Sequence, residues 1–268
     1  MLKVIFPGQL QLGLAQAVAA GIVAFAVVLL ARRRQIHLES EAAVAMARGL
    51  AQIIAVGSVL VLLLRCPRWT GGFLLAAMIL AAGATSTRRA KGIPGSFRVS
   101  TYSIACGAGS VIAIMTWLGV IDTAVTALIP VGSMLIANAM NTNSLALNRF
   151  RSDVLAHVGE IETALALGAD PTQSVSPYLQ ASFEASLIPA IDSLRSLGIV
   201  WIPGLMAGML LSGARPVYAA VYQFVVLAMI FAASGVTSLI STLLVRAHAF
   251  TSAEQLSLRP GISAKLAV

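Results

Sequence analysis

The sequence predicts an all-α polytopic membrane protein with about seven transmembrane helices, on three observations. Of its 268 residues, 58% are hydrophobic and only 10% are charged, where soluble domains carry about 25% charge. Seven apolar runs each approach or exceed the ~20 residues needed to cross a hydrocarbon core. The basic residues gather at the ends of those runs and are distributed unequally between the two sides they define.

The runs lie near residues 9–31, 45–64, 69–87, 99–118, 124–147, 187–211 and 217–245. Run one follows a stretch too short to be the charged start of a cleavable signal, so it is expected to stay as a helix. Arg32, Arg33 and Arg34 close it. Runs three and four carry Gly71, Gly72 and Gly83, then Gly107 and Gly109, which let membrane helices approach closely. Run five begins at the outer loop bearing Asp122 and contains Asn138, Asn141 and Asn143. Run six contains Pro189 and Pro203, which predict a kink, with Pro203-Gly204 and Gly208 as either a flexing point or a static bend. Run seven is long enough to tilt or to project from the membrane.

The hydrophilic stretch near 149–186 is a different kind of sequence. It holds Asp153, Glu160, Glu162, Asp170 and Glu184, half of the chain's ten acidic residues. Two short helices are expected there, near 157–167 and 172–179, with Gly168 as a C-cap and Pro171 in the first turn of the second. Gly168-Ala-Asp-Pro171 makes the bend between them an elbow that could dock on another protein.

If the runs alternate, one side collects Arg32, Arg33, Arg34, Arg88, Arg89, Lys91, Arg98, Arg149, Arg151, Arg246, Arg259 and Lys265. The other side collects Lys3, Arg65, Arg68 and Arg215. The positive-inside rule then places the N-terminus outside and the C-terminus in the cytoplasm.

Net charge of +8 would suggest nucleic acid in a soluble chain, but here topology explains it and no nucleic-acid module is present. Cys66 and Cys106 form no CxxC pair and imply no disulfide framework. No nucleophile elbow, metalloprotease helix or paired carboxylates appear in a run, so catalysis finds no support. His37, His157 and His248 lie far apart in sequence and are not expected to act together as ligands.

The sharpest clue is the polar face of run five. Met134, Asn138, Asn141, Leu145 and Asn148 recur at steps of three or four and share one helical face. Lipid offers amides no partners, so that face must meet protein or water. Helix–helix packing and a solute path are both open readings. If a metal passes, Met134, Met140, Met206 and Met209 offer thioethers while Asn138, Asn141 and Asp192 offer oxygen. Methionines also fill cores, and Arg195 stands three residues from Asp192 as an ion-pair partner. No cluster with the geometry of a tight structural metal site occurs in the runs.

Two further patterns carry a resemblance. Glu162-Thr-Ala-Leu-Ala-Leu-Gly168-Ala-Asp-Pro171 resembles the EAA-type loop of ABC-transporter permeases, with Thr163 replacing the first Ala and Leu187-Ile-Pro189 nearest to the loop's apolar-Pro ending. More widely, the order is Ile129-Pro-Val, Met134-Leu-Ile-Ala-Asn138-Ala-Met140, Ser144-Leu-Ala-Leu-Asn-Arg149-Phe, then the elbow. Leu187-Ile-Pro-Ala-Ile-Asp192-Ser, Pro203-Gly-Leu-Met206-Ala-Gly208, Ser212-Gly-Ala and Tyr222-Gln223 follow, and residues 47–57 match a second-span pattern. This resembles the permease family containing the bacterial iron exporter FetB (also called YbbM) and plant aluminium-tolerance permeases. Ala137 and Met209 depart from it where Gly and Gln are expected.

The resemblance implies one permease domain over residues 1–268, with a coupling segment near 149–186, in a bacterial inner (plasma) membrane. It implies export of iron or a related metal, or of a nucleotide sugar as in plant relatives; outside the resemblance, the alternatives are a secondary transporter or channel working without ATP and a membrane scaffold that binds a partner through the elbow. The chain has no G-x-x-x-x-G-K-[ST], so ATP is expected on a separate P-loop ATPase, with no cofactor on this chain. Two permeases and two ATPases are the implied assembly. Glu160, Glu162, Gly168, Asp170 and Pro171 are the expected ATPase-coupling residues. Met134, Asn138, Met140, Asn141, Asp192, Met206 and Met209 are the expected solute-path residues.

Overall fold

A computed structural model of the chain describes residues 8–32, 39–63, 69–90, 93, 95–250, 255, 256 and 258. Lys3, Arg33, Arg34, His37, Arg65, Cys66, Arg68, Lys91, Arg259 and Lys265 lie outside the described residues. The chain divides into two compact units, residues 1–66 and 67–268.

The first unit holds α1 (Gln9–Arg32) and α2 (Glu39–Leu63). In α1 the apolar residues point in every direction, the pattern of a membrane span rather than of an amphipathic surface helix. The apolar part of α2 spans Ala42–Ser58.

The second unit holds α3 (Trp69–Arg89), α4 (Ser96–Trp117), α5 (Val125–Ala156), α6 (Val158–Ala166), α7 (Pro171–Ser196), α8 (Gly204–Leu211) and α9 (Pro216–His248). Five of the described helices, α1, α3, α4, α5 and α9, are long and apolar enough to cross a membrane. The protein is an all-α polytopic membrane protein.

The structure departs from the sequence expectation at two helices. The apolar stretch 187–211 is not one kinked helix. It is the end of α7, a turn, and the short α8. Gly198 has φ +76, and the Ser196 carbonyl accepts the N–H groups of Ile199, Val200 and Trp201 within 3.3 Å. Pro189 is absorbed inside α7, whereas Pro203 stands before α8 as its N-cap residue. The second elbow helix is likewise not short: α7 starts at Pro171 and runs unbroken through 26 residues. Apolarity reports burial or lipid contact, not helicity, so the positive-φ glycine decided the break.

Close approaches fix how the second unit packs. Gly71 abuts Leu128, and Ser86 meets Asn143. The residue offset repeats along both helices, so α3 and α5 run parallel. Gly95 abuts His248 and Gly107 abuts Thr237, so α4 and α9 run antiparallel. At that second contact α4 widens into a π-helical segment, Ala105–Gly109. A methyl group on Gly107 would lie 2.7 Å from the Thr237 nitrogen and 2.8 Å from the Ala233 carbonyl oxygen. Only glycine admits that approach.

Two apolar cores result. One centres on Ile104, Leu135, Ile136, Val226 and Met229. The other joins the Arg-bearing ends of the helices through Leu147, Phe150, Val154, Ile161, Val175 and Val245.

Candidate functional site

Run five becomes a 32-residue helix, and its asparagines part company by face. Asn143 is fully buried. Its Nδ2 donates to Ser86 Oγ at 2.7 Å and to Ser100 Oγ at 2.9 Å, and Ser144 Oγ donates to Ser86 Oγ at 3.0 Å. This hydroxyl–amide cluster fastens α3, α4 and α5 together. Helix–helix binding is its chemistry.

Asn138 and Asn141 lie on another face and line a pocket of about 280 Å³. Arg89 from the end of α3 enters that lining, with Thr142 and Leu145 from α5 and Pro189 and Ala190 from α7. Asn138 Nδ2 also donates to its own helix at the Met134 carbonyl, 2.8 Å away. The pocket therefore combines amides, a threonine, one guanidinium and an apolar wall.

The remaining expected path residues fall elsewhere. Met134 and Met140 are partly buried against the first core. Met206 and Met209 stand half-buried on α8. Asp192 lies 3.9 Å from Arg195 with both side chains largely exposed. None of these five lines the pocket. Among the described residues, no group of three or more His, Cys, Asp or Glu converges on a metal site. Arg89 entered the sequence reading only as a topological charge. Its place at the end of run three, ahead of a turn, gave no sign that it would reach the α5 polar face.

The elbow is built by backbone chemistry. Gly168 has φ +86. Its N–H donates to the Leu165 carbonyl, and that of Ala169 to the Ala164 carbonyl, each at 3.0 Å. These are the two bonds of a Schellman stop. Asp170 then caps α7: its Oδ1 accepts from Thr172 N at 2.6 Å, from Gln173 N at 3.3 Å and from the Thr172 hydroxyl. Those hydrogen bonds, the Thr172 hydroxyl first, hold its carboxyl below the ordinary carboxylate range. Pro171 follows at the first helical position, where a missing N–H costs nothing.

The same backbone corner recurs once more. Ser212-Gly213-Ala214-Arg215-Pro216 repeats the sequence pattern, with Gly213 at φ +89 and matching hydrogen bonds of 3.0 Å to Leu210 and Met209. Arg215 takes the capping position there without a side-chain bond.

On α6, Glu160 accepts from the Tyr178 hydroxyl at 3.4 Å. Burial, and the Glu160 carboxylate beside it, push that phenol's pKa up. Tyr178 also stacks on His157 with ring centres 5.0 Å apart. Beneath them Ile161, 1% exposed, enters the second core beside Phe150 and Val154 of α5.

A family model described as "Uncharacterised protein family (UPF0014)" matches residues 14–250. "UPF0014 membrane protein STAR2" of Oryza sativa subsp. japonica is 34% identical over 91% of this chain and 86% of its own length. "Protein ALUMINUM SENSITIVE 3" of Arabidopsis thaliana is 32% identical over 91% of this chain and 90% of its own. "Probable iron export permease protein FetB" of Escherichia coli (strain K12) is 30% identical over 85% and 89% respectively. No solved structure matches the chain. The relative named as a permease points to transport rather than catalysis.

Proposed function

The chain belongs to the UPF0014 family, and from that premise we propose that it is the permease subunit of an ATP-driven ABC exporter, moving iron or a related metal. One observation carries the reading. The elbow helix α6 is not a loose loop but is set, through Ile161, in one core with Leu147, Phe150 and Val154 of α5. Asn141 lies about 20 Å from Val154 along that helix, at a rise of ~1.5 Å per residue. A push on the elbow therefore moves the helix that carries the polar pocket.

The sequence contains no P-loop, so a separate P-loop ATPase supplies the energy, in an assembly of two permeases and two ATPases in a bacterial inner membrane. Glu160, Glu162, Gly168, Asp170 and Pro171 form the coupling surface. Asn138 and Asn141 face the solute, while Met134, Met140, Asp192, Met206 and Met209 join the path only in another conformation of the cycle. That the Escherichia coli relative is named a probable iron export permease supports iron as the solute.

The test is flux through proteoliposomes containing the permease and its ATPase, with iron, other divalent metals and nucleotide sugars offered with and without ATP. ATP-dependent iron flux is expected. Asn138→Leu should stop it while the ATPase still co-purifies, and charge reversal at Glu160 and Glu162 should release the ATPase. Flux indifferent to ATP overturns the reading in favour of a secondary transporter or channel.

A further inference from the structure

The pocket lining carries one formal charge, and it is positive. Neither Asp nor Glu lines it. Among the described residues, Arg89 makes no ion pair, whereas Arg149 pairs with Asp153 and Arg195 with Asp192. Divalent cations are held by carboxylates and other oxygen ligands or by softer neutral donors, and a guanidinium in the same pocket repels them. A guanidinium is instead matched to carboxylate or phosphate, whose oxygens it binds in pairs through its planar fork.

Position agrees with that chemistry. With α3 and α5 parallel, Arg89 lies one turn past the Ser86–Asn143 contact, at the Arg-bearing end of the unit. Asn138 lies more than one turn before that contact, deeper in the pocket. A solute entering from the Arg-bearing end meets the guanidinium first, then Asn141 and Asn138. Leu145, Pro189 and Ala190 give it an apolar flank.

We propose that the pocket recognises an anionic, oxygen-rich solute, and that Arg89 is its specificity-determining residue. This rests on the permease reading and narrows its solute. A metal cargo then enters as an anionic carboxylate chelate, not as a bare cation; a phosphate-bearing solute would present the same chemistry. The amides donate to or accept from the uncharged oxygens of either.

Arg88 supplies the control. It is adjacent, exposed and outside the lining, so it shares the topological charge of Arg89 without its place in the pocket. The experiment is equilibrium dialysis of the full chain in nanodiscs, with no ATPase and no ATP, against ferrous ion alone, ferric citrate and inorganic pyrophosphate. At least one anionic probe is expected to bind. Its affinity should fall tenfold or more in Arg89→Gln, recover in part in Arg89→Lys, and stay unchanged in Arg88→Gln. Asn141→Leu, which keeps every charge, should weaken the same probe. The citrate and pyrophosphate arms distinguish a chelate from a phosphate.

Three results would overturn the proposal: binding of ferrous ion alone that Arg89→Gln leaves intact, binding of neither anion, or equal losses in the two arginine variants. Because ATP plays no part in this assay, such a result would leave the ABC reading standing. Failure of ATP-dependent flux would equally leave the anion assay standing.

Discussion

Asn143 and Asn141 are two residues apart on one helix, and a leucine at each is expected to do different damage. Asn143→Leu leaves the buried Ser100 hydroxyl without its amide donor, at about 1–3 kcal/mol for an unsatisfied group, while Ser86 keeps only the Ser144 bond. Asn141→Leu removes an exposed amide from a pocket wall and should cost little stability. Thermal unfolding in detergent, read as loss of monodisperse protein, should separate them, with Asn143→Leu clearly lower; equal losses would dissolve the distinction. Part of this division was legible in the sequence. The spacing of Met134, Asn138, Asn141, Leu145 and Asn148 picked out one face, and the structure keeps Asn138, Asn141 and Leu145 together on the pocket. The partners of that face were not legible: Arg89, Pro189 and Ala190 come from helices distant in sequence, and only packing brings them there. The thioethers illustrate the converse, since Met134 and Met140 suit a soft ligand set by chemistry but pack against the first core.

At the scale of elements, the contact between α4 and α9 depends on one missing side chain. Gly107→Ala brings a methyl group onto the backbone of Thr237 and Ala233, which no rotamer change relieves. Overpacking of this kind costs about 1–3 kcal/mol. The variant should therefore lose thermal stability, whereas Gly109→Ala, with its nearest neighbour at 4.0 Å, should not. Similar losses at both positions would show that the π segment, not the close approach, governs the contact. Small residues in runs three and four announced close packing; Gly71, Gly83 and Gly107 deliver it, Gly72 and Gly109 do not, and Gly132 of run five adds an approach to Leu75. A helix stop and the next helix start were legible at Gly168 and Pro171, where Gly and Pro fall within the hydrophilic stretch. The break at Gly198 was missed because Ile199, Val200, Trp201 and Ile202 continue the apolar run while the backbone turns, leaving all four exposed.

At the scale of the second unit, its long helices α3, α4, α5, α7 and α9 run alternately up and down. Arg88, Arg89, Arg98, Arg149, Arg151 and Arg246 fall at one end of it, and Arg215 falls at the other. The proposed ATPase must meet the elbow at the first of these ends, so orientation is a test of the mechanism. In a Cys66→Ser, Cys106→Ser background, Thr123→Cys should react with a membrane-impermeant maleimide on intact cells, and Gln173→Cys only after permeabilisation. The opposite pattern would put the elbow out of the ATPase's reach. The two Gly-Ala-x-Pro corners make the elbow's response to acid a differential one. Both corners share one backbone, but only the first is pinned by a carboxylate, whose lowered pKa means its contribution is complete above the ordinary carboxylate range and fades as pH drops through the depressed value. Mild acidity therefore leaves the bend before α7 as firm as at neutrality. Stronger acid slackens that bend alone, while the corner before α9, latched by main-chain bonds without any titrating cap, keeps its angle.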